Sequence, residues 1–176
     1  MRYLVCSDIH GSIDSVERII DLFKKYSCDK IICLGDILYH GPRNDLPLNY
    51  NPKACIKILN EYKDYIIAIK GNCDAEVDQM VLNFKILEDS YLSIGDNLYY
   101  LCHGHHLNFD SDDLILNNAT ILYGHYHIPS IKNINNRKYI NVGSITLPKE
   151  NSPRSYALLD DDGIKIYNLD ESVVLE

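Results

Sequence analysis

The chain has 176 residues, a length that fits one compact domain whose core needs no disulfides. Hydrophobic residues make up 46% of the sequence, which excludes an intrinsically disordered chain. The formal net charge of −8, without a stripe of lysine and arginine, argues against binding of long nucleic acids, whose phosphates require basic surfaces.

The first half of the chain alternates short apolar runs with amphipathic segments. The apolar runs predict buried strands, and the segments with apolar side chains at helical spacing predict helices. This order predicts a βαβαβ unit, whose strands are parallel. The strands are predicted at residues 3–6, 30–34 and 65–69, and the helices at residues 12–25, 52–62 and 74–82.

After residue 90 the sequence is mostly of β character, with turn signals between apolar runs. Two facing sheets with helices outside would bury both halves of the chain. Because no linker or repeat interrupts the sequence, we expect a single α/β domain over residues 1–176. The later strands are predicted at residues 91–94, 97–102, 120–123, 138–142, 156–159 and 164–168.

The N-terminal residues and the cysteines bear on localisation. The first residues enter a strand pattern directly, so we expect no signal peptide, and no apolar run approaches the length of a membrane span. None of the six cysteines forms a CxxC pair, and most lie among apolar residues. Buried free thiols are typical of a reducing compartment, so the sequence predicts a cytoplasmic protein with no membrane partner.

Polar side chains beside glycine follow five of the predicted strands. In α/β folds, ligands bind at the carboxyl ends of strands, where glycine allows tight turns and close approach. We expect these side chains to converge on one rim. The five segments are Asp8-Ile9-His10-Gly11, Gly35-Asp36, Gly71-Asn72-Cys73-Asp74, His103-Gly104-His105-His106 and Gly124-His125-Tyr126-His127.

Asp8 with His10, and His125 with His127, are donor pairs two residues apart. On extended backbone such pairs point the same way. Mixed imidazole, carboxylate and amide donors suit Mn²⁺, Fe or Zn²⁺, and Asp36 is the best candidate to bridge two cations. Each segment alone is also compatible with turn chemistry or surface histidines. Their joint placement after apolar strands predicts a metal site.

In this order, the five segments resemble the calcineurin-like metallophosphoesterase superfamily, and within it the small bacterial phosphodiesterases of the YfcE type. The stretches at residues 35–44 and 71–80 are especially similar to that type, and Asn141-Val142-Gly143-Ser144 resembles its late turn. The resemblance implies a four-layer α/β/β/α sandwich of two mixed β-sheets flanked by helices, with a dinuclear site between the sheets.

The resemblance also implies a ligand set. Seven residues would hold two metals, and one of them, Asp36, would be shared by both. The first metal would be held by Asp8, His10, Asp36 and His127, and the second by Asp36, Asn72, His103 and His125.

Two departures from the broader superfamily concern the chemistry. Cys73 stands where many members have histidine, and Tyr39 and His40 stand where they carry aspartate and arginine. A thiol is a poorer proton donor than an imidazole near neutral pH, which weakens the case for an efficient phosphomonoesterase.

The YfcE type shares this cysteine, so the change fits a preference for diesters. The predicted catalytic residues are Asp36, Asn72, Cys73 and His105, and His105 could instead support a metal ligand by a hydrogen bond. His40 and Arg43 are predicted to orient the substrate phosphate, the alternative being two solvent-facing loop residues.

The resulting prediction is a metal-dependent phosphodiesterase that cleaves small phosphodiesters by attack of a hydroxide held on a dinuclear metal centre. Two divalent ions are expected, with Mn²⁺ first and Fe, Ni²⁺, Zn²⁺ or Mg²⁺ behind it. The alternatives are a phosphomonoesterase and a non-catalytic, metal-binding interaction scaffold on the same fold. Related proteins often self-associate, so the resemblance allows a homo-oligomer.

Overall fold

The computed structural model describes residues 1–110 and 115–176. Three α-helices, a short 3₁₀ helix at Lys63–Tyr65 and twelve strands occur in these residues. The helices are α1 (Ile13–Lys25), α2 (Pro52–Glu61) and α3 (Glu76–Val81). The strands are β1 (Tyr3–Cys6), β2 (Lys30–Cys33), β3 (Ile66–Ile69), β4 (Ile86–Leu87), β5 (Ser90–Ile94), β6 (Asn97–Leu101), β7 (Ala119–Tyr123), β8 (Ser130–Ile134), β9 (Arg137–Asn141), β10 (Ser155–Asp160), β11 (Gly163–Asn168) and β12 (Val173–Leu175).

Side-chain caps fix where the two longer helices begin. The Ser12 hydroxyl accepts a hydrogen bond from the backbone N–H of Ser15, and the Asn51 side chain accepts one from that of Ala54. Both satisfy a backbone donor that has no partner within the first turn of a helix. Pro52, at the first position of α2, has the fixed φ that suits a helix start.

The twelve strands form two mixed sheets. The first has seven strands in the order β12-β11-β10-β1-β2-β3-β4, and β1 to β4 run parallel. β10 is antiparallel to β1, so the last part of the chain completes the sheet that the first part begins. The second sheet has five strands in the order β5-β6-β7-β9-β8. This interleaving supports one domain over residues 1–176, which stays a prediction.

Alternating side chains of β1 show how the layers are built. Leu4 belongs to the core under α1 and α2, whereas Tyr3 and Val5 belong to the core shared with the second sheet. In β7, Leu122 points into that shared core, while Ile121 lies in a third cluster on the other side. The structure confirms two mixed sheets with flanking helices.

Turns in residues 103–110 and 115–118 contribute to the outer face of the second sheet. Leu107, Phe109 and Ile115 pack there against the third cluster. No described helix combines the length and the apolarity that crossing a membrane requires.

Three strands are absent from the sequence-based prediction, namely β4, β8 and β12. All three lie at sheet edges, where a strand is buried on fewer sides and its hydrophobic signal is weak. The predicted helix at residues 74–82 is too long, since α3 begins at Glu76. Asp74 stays outside because its side chain binds the backbone of neighbouring loops.

Candidate metal centre

The expected ligands lie in loops that follow the strands, as predicted. The loops after β1 and β2 are joined by backbone hydrogen bonds, from the N–H of Asp8 to Gly35 and from the N–H of His10 to Asp36. The loop after β7 joins them, since the N–H of His125 donates to the Asp8 carboxylate at 3.1 Å. The parallel order of β1, β2 and β3 therefore brings the segments to one end of the fold.

Five expected ligands have left-handed backbone, although none is glycine. Their φ angles lie between 51° and 66°, which L-residues adopt at a cost of about 1 kcal/mol each. The prediction that the Asp8–His10 and His125–His127 pairs lie on extended backbone is therefore wrong. Residues in this strained conformation cluster at functional sites. The five are Asp8, His10, Asp36, His125 and His127.

His10, His127 and Asp8 form a group of converging donors. The Nδ1 of His10 lies 2.8 Å from the carbonyl of Tyr39, and the Nδ1 of His127 contacts the carbonyl of Leu147. Because a carbonyl only accepts hydrogen bonds, each Nδ1 carries a proton, and each ring turns its Nε2 to the centre. The two Nε2 atoms are 3.4 Å apart.

A cation resolves this arrangement. Asp8 Oδ1 lies 3.2 Å from the Nε2 of His127 and 3.8 Å from that of His10, and it is buried without a hydrogen-bond partner among the described residues. Two facing Nε2 atoms beside a buried carboxylate oxygen require positive charge between them, supplied by a proton or by a metal. The donor set therefore fits a divalent metal ion.

His103, Asp36 and Asn72 form an adjoining group of donors. The Nδ1 of His103 lies 2.6 Å from the carbonyl of Leu34, so its Nε2 faces the site. That Nε2 lies 3.2 Å from Asn72 Oδ1 and 3.5 Å from Asp36 Oδ1. Burial alone lowers the pKa of His103, but Asp36 and Asp8 raise it to about 9. These acceptors thus require a positive charge at this point, supplied by a proton or by a metal.

Asp36 approaches both groups of donors, as does Asp8, whose Oδ1 also lies 4.0 Å from the Nε2 of His103. Its Oδ2 lies 3.7 Å from the Nε2 of His10, and its Oδ1 faces His103. Burial raises the pKa of this carboxyl, but the His103 hydrogen bond and charge outweigh it and lower the pKa strongly. The carboxylate is therefore ionised and lies where a bridging ligand would be.

His125 lies at the margin of the cluster. Its ring centroid is 5.1 Å from that of His103, and its imidazole is not among the groups of donor atoms that lie within 4.8 Å of one another in the described residues. Burial, followed by the charge of His103, lowers its pKa to about 4. The imidazole is neutral at physiological pH, as a metal ligand must be.

A cavity of about 380 Å³ opens over the donors. Arg43 lines it, as expected for a phosphate-binding residue. His40 is not among the described lining residues, because its ring packs against those of Tyr39 and Tyr50 at centroid distances of 4.8 and 5.3 Å. Its predicted role in substrate binding stays a prediction without support from this placement.

Cys73 and His105 flank the cluster on different sides. The Cys73 thiol lies with His10 and Asp36 in one candidate metal-binding group, and burial together with the Asp36 charge raises its pKa to about 12. It is therefore a neutral thiol. His105 lies along a second cavity of about 240 Å³ that reaches His103. Burial lowers the pKa of His105 to about 4, and its buried Nδ1 has no hydrogen-bond partner in residues 1–110 and 115–176.

Sequence reasoning missed the role of Asp74. Its buried carboxylate accepts three backbone hydrogen bonds, from Asp36 at 2.8 Å, Ile37 at 2.8 Å and Gly71 at 2.7 Å. It thereby fastens the loop of Asp36 to the loop of Asn72. The signal was its place at the end of the Gly-Asn-Cys-Asp segment.

Ser144 is a second supporting residue, in the turn after β9. Its hydroxyl donates to the carbonyl of Asp8 at 2.9 Å and accepts from the backbone N–H of Leu147 at 2.8 Å. The Leu147 carbonyl in turn accepts from His127. This turn therefore orients two expected ligands from behind, as supporting hydrogen bonds do in metal sites.

Comparison with known proteins gives a consistent assignment. Residues 1–163 match the calcineurin-like phosphoesterase superfamily domain. Phosphodiesterase YfcE of Escherichia coli (strain K12) is 36% identical over 178 residues, covering 100% of this chain and 97% of the relative. A solved structure of Yfce, a phosphoesterase from E. coli, has a TM-score of 0.93 at 37% identity, and the match covers 99% of this chain and 97% of that one.

The fold extends to more distant proteins. Vps29 from Entamoeba histolytica has a TM-score of 0.64 at 22% identity, covering 100% of this chain and 97% of that one, and shows a shared fold alone. The match over residues 1–163 and the full-length similarity to a phosphodiesterase are far more specific. On these grounds the chain belongs to the calcineurin-like phosphoesterase superfamily.

Proposed function

We propose that this protein hydrolyses small phosphodiesters with the help of two divalent metal ions. The observation that carries the proposal is the convergence of the Nε2 atoms of His10 and His127, 3.4 Å apart, beside Asp8 Oδ1, which has no hydrogen-bond partner among the described residues. Full-length similarity to Phosphodiesterase YfcE supports the reaction class. The fold supports the same class.

The proposed ligand sets follow the two groups of donors. When bound, two such cations lower the pKa of a water molecule and offset negative charge on the phosphate oxygens. The mixture of nitrogen and oxygen donors favours Mn²⁺, with Fe, Ni²⁺, Zn²⁺ and Mg²⁺ as the other candidates. One set is Asp8, His10, Asp36 and His127, and the other is Asp36, Asn72, His103 and His125.

The chain's own residues would orient the reactants. Asp36 faces His10 and His103, Asn72 faces His103, and Arg43 at the cavity wall would bind non-bridging phosphate oxygens in a fork. Water attacks phosphorus, the P–O ester bond opposite breaks, and the departing oxygen takes up a proton. Cys73 is held as a thiol and His105 as a neutral imidazole. The first is therefore a weak acid and the second a proton acceptor.

The substrate class and setting are part of the proposal. A net charge of −8 disfavours long nucleic acids, so the substrate would be a small phosphodiester. All six cysteines are free thiols, which supports a reducing, cytoplasmic environment. A homo-oligomer remains compatible with this function.

The decisive experiment uses metal-stripped protein with bis-p-nitrophenyl phosphate as the diester and p-nitrophenyl phosphate as the monoester. Restoring Mn²⁺ should restore diester cleavage and give weaker monoester cleavage, and Asp36→Ala should abolish both. Faster monoester cleavage would favour a phosphomonoesterase. No turnover with any divalent metal would favour the scaffold, which could still bind metal.

Arg43 is tested in the same assay. Arg43→Ala should lower kcat/KM for the diester about tenfold or more, the loss of one charge-assisted hydrogen bond. An unchanged kcat/KM would remove Arg43 from the site.

A further inference from the structure

The cavity over the donor cluster has two walls that come from different sheets. One wall belongs to the loops after β2 and β3 and carries Arg43. The other belongs to the loop after β7 and the connection between β9 and β10, and it carries Lys149. Each wall thus presents one long cationic side chain to the same space.

Neither cation is neutralised within residues 1–110 and 115–176. No described carboxylate lies within ion-pair distance of Arg43 or Lys149, and both side chains are exposed. Glu150 also lines the cavity but makes no ion pair with its neighbour. In a chain with a net charge of −8, two unpaired cations around one cavity fit an anionic ligand.

The backbone of Lys149 is tied to the expected metal ligand His127. The N–H of Lys149 donates to the carbonyl of His127 at 3.3 Å. The Ser152 hydroxyl contacts the same carbonyl at 3.2 Å and the carbonyl of Lys149 at 2.6 Å. Two residues before Lys149, the carbonyl of Leu147 accepts from the His127 imidazole. These hydrogen bonds therefore fix the backbone of Lys149 relative to the expected metal ligands.

The chain turns sharply after Lys149. Glu150 and Asn151 both have left-handed backbone, with φ of 53° and 59°, and the N–H of Ser152 closes the turn on the Lys149 carbonyl at 2.9 Å. Two consecutive strained residues persist only where the surroundings hold them. This turn places Lys149 at the corner that borders the cavity.

We propose that Lys149 is a substrate-binding residue whose ammonium group binds a non-bridging phosphate oxygen from the wall opposite Arg43. The inference rests on the proposed phosphodiesterase function. An ammonium is a compact charge on a flexible stem, so it can follow an oxygen that moves as phosphorus changes geometry. The guanidinium of Arg43 would supply the fixed, planar contact on the other side.

The first test measures binding, not turnover. Inorganic phosphate is titrated calorimetrically into Mn²⁺-loaded protein carrying Lys149→Gln, Lys149→Arg or, as a matched control, Lys53→Gln on the exposed face of α2. We expect Lys149→Gln to weaken phosphate binding about tenfold, the value of one charge-assisted hydrogen bond. Lys149→Arg should recover most of the affinity, and Lys53→Gln should equal the wild type.

Two further measurements distinguish a contact between Lys149 and the substrate from a purely structural role of Lys149. Mn²⁺ affinity and the melting temperature should be the same in Lys149→Gln as in the wild type. In diester hydrolysis, KM should rise about tenfold with a smaller change in kcat, since the contact is present in both ground and transition states. Raised KM with unchanged Mn²⁺ affinity would therefore identify a contact with substrate.

Several results would overturn the inference. One is a phosphate affinity of Lys149→Gln within about twofold of the wild type, and another is an equal loss of phosphate affinity in Lys53→Gln. The inference also fails if the loss of phosphate affinity in Lys149→Gln accompanies weaker Mn²⁺ binding, or if the wild type does not bind phosphate. Failure of the proposed function gives a different result, in which phosphate binding depends on Lys149 but no diester is cleaved.

Discussion

Replacing Asp74 by asparagine tests whether one buried carboxylate holds the loops of the metal centre together. Asp74 Oδ2 accepts from the N–H groups of Asp36 and Gly71, and Oδ1 accepts from that of Ile37. The substitution keeps the shape and removes one acceptor and the charge. Both loops that it joins carry expected ligands, Asp36 and Asn72.

The cost follows from the three bonds. If the asparagine oxygen keeps the two donors of Asp36 and Gly71, its NH₂ group faces the N–H of Ile37 and leaves it unpaired. Losing one hydrogen bond and weakening two others costs stability, but removing a charge whose burial raises the pKa of Asp74 to about 6 offsets part of the loss, so the free energy of unfolding should fall by about 1 to 2 kcal/mol. For a chain of this length, the melting temperature should fall by about 2 to 8 °C.

Two assays measure the effect, thermal unfolding of the metal-free protein and calorimetric titration with Mn²⁺. Burial raises the pKa of Asp74 to about 6, so both are run at about pH 8, where the carboxylate is ionised. We expect Mn²⁺ affinity to fall about 10- to 100-fold, as when supporting hydrogen bonds of a metal site are removed.

Asp78→Asn is the matched control. Asp78 is equally buried, but its carboxylate accepts a single backbone hydrogen bond, from Ala75 at 2.8 Å, which an amide oxygen can keep. It should change stability by about 1 kcal/mol or less and leave Mn²⁺ affinity unchanged. Equal losses of stability and Mn²⁺ affinity in the two variants, or wild-type Mn²⁺ affinity in Asp74→Asn, would show that the Asp74 carboxylate does not hold the ligand loops together.

Two further predictions concern packing and pH. In Gly71→Ala the new Cβ would lie 2.1 Å from Asp36 Oδ1, so we expect Mn²⁺ affinity to fall about tenfold or more, and an unchanged calorimetric affinity would contradict this. Hydrogen bonds from Lys25 and Tyr26 lower the pKa of Glu171 from 4.5 to about 2, so its contribution to stability is present above 4.5 and is lost as pH falls toward 2. The difference in melting temperature between the wild type and Glu171→Gln should therefore shrink in that range, and a difference that grows on acidification would contradict it.

The sequence predicted the interior strands and missed three of the four edges. β1, β2 and β7 are apolar on both faces, which gives an uninterrupted run that is easy to recognise. β8 alternates with lysine and asparagine at a sheet edge, and β4 has only two residues. These segments are strands because they pair with a neighbouring strand, and their own hydrophobic pattern does not predict it.

The sequence also predicted which residues converge, but it predicted extended backbone for donor pairs whose backbone is left-handed. Asp8 and His10 converge although both have left-handed φ, a conformation imposed by hydrogen bonds between the β1 and β2 loops. His40 illustrates the opposite limit, because its position in the motif gave no sign of packing against Tyr39 and Tyr50. Contacts of this kind depend on distant parts of the chain, which local spacing does not encode.

The left-handed backbone at the expected ligands makes a prediction about stability that is independent of activity. His127 has a φ of 62°, whereas His103 is not among the residues with positive φ. At positive φ, alanine should be less stable than glycine by about 1 kcal/mol. At ordinary φ the order reverses, because glycine loses more chain entropy on folding, by about 0.5 to 1 kcal/mol.

We therefore expect metal-free His127→Gly to be more stable than His127→Ala, and His103→Gly to be less stable than His103→Ala. Each pair removes the same buried imidazole, so the difference within a pair reports the backbone and one methyl group. Urea unfolding with a chelator present gives all four free energies of unfolding. Opposite signs at the two positions would show that the left-handed backbone at His127 carries strain, which the surrounding structure offsets. The same sign at both would mean that the left-handed turn costs nothing, and the argument from strain to function would fail.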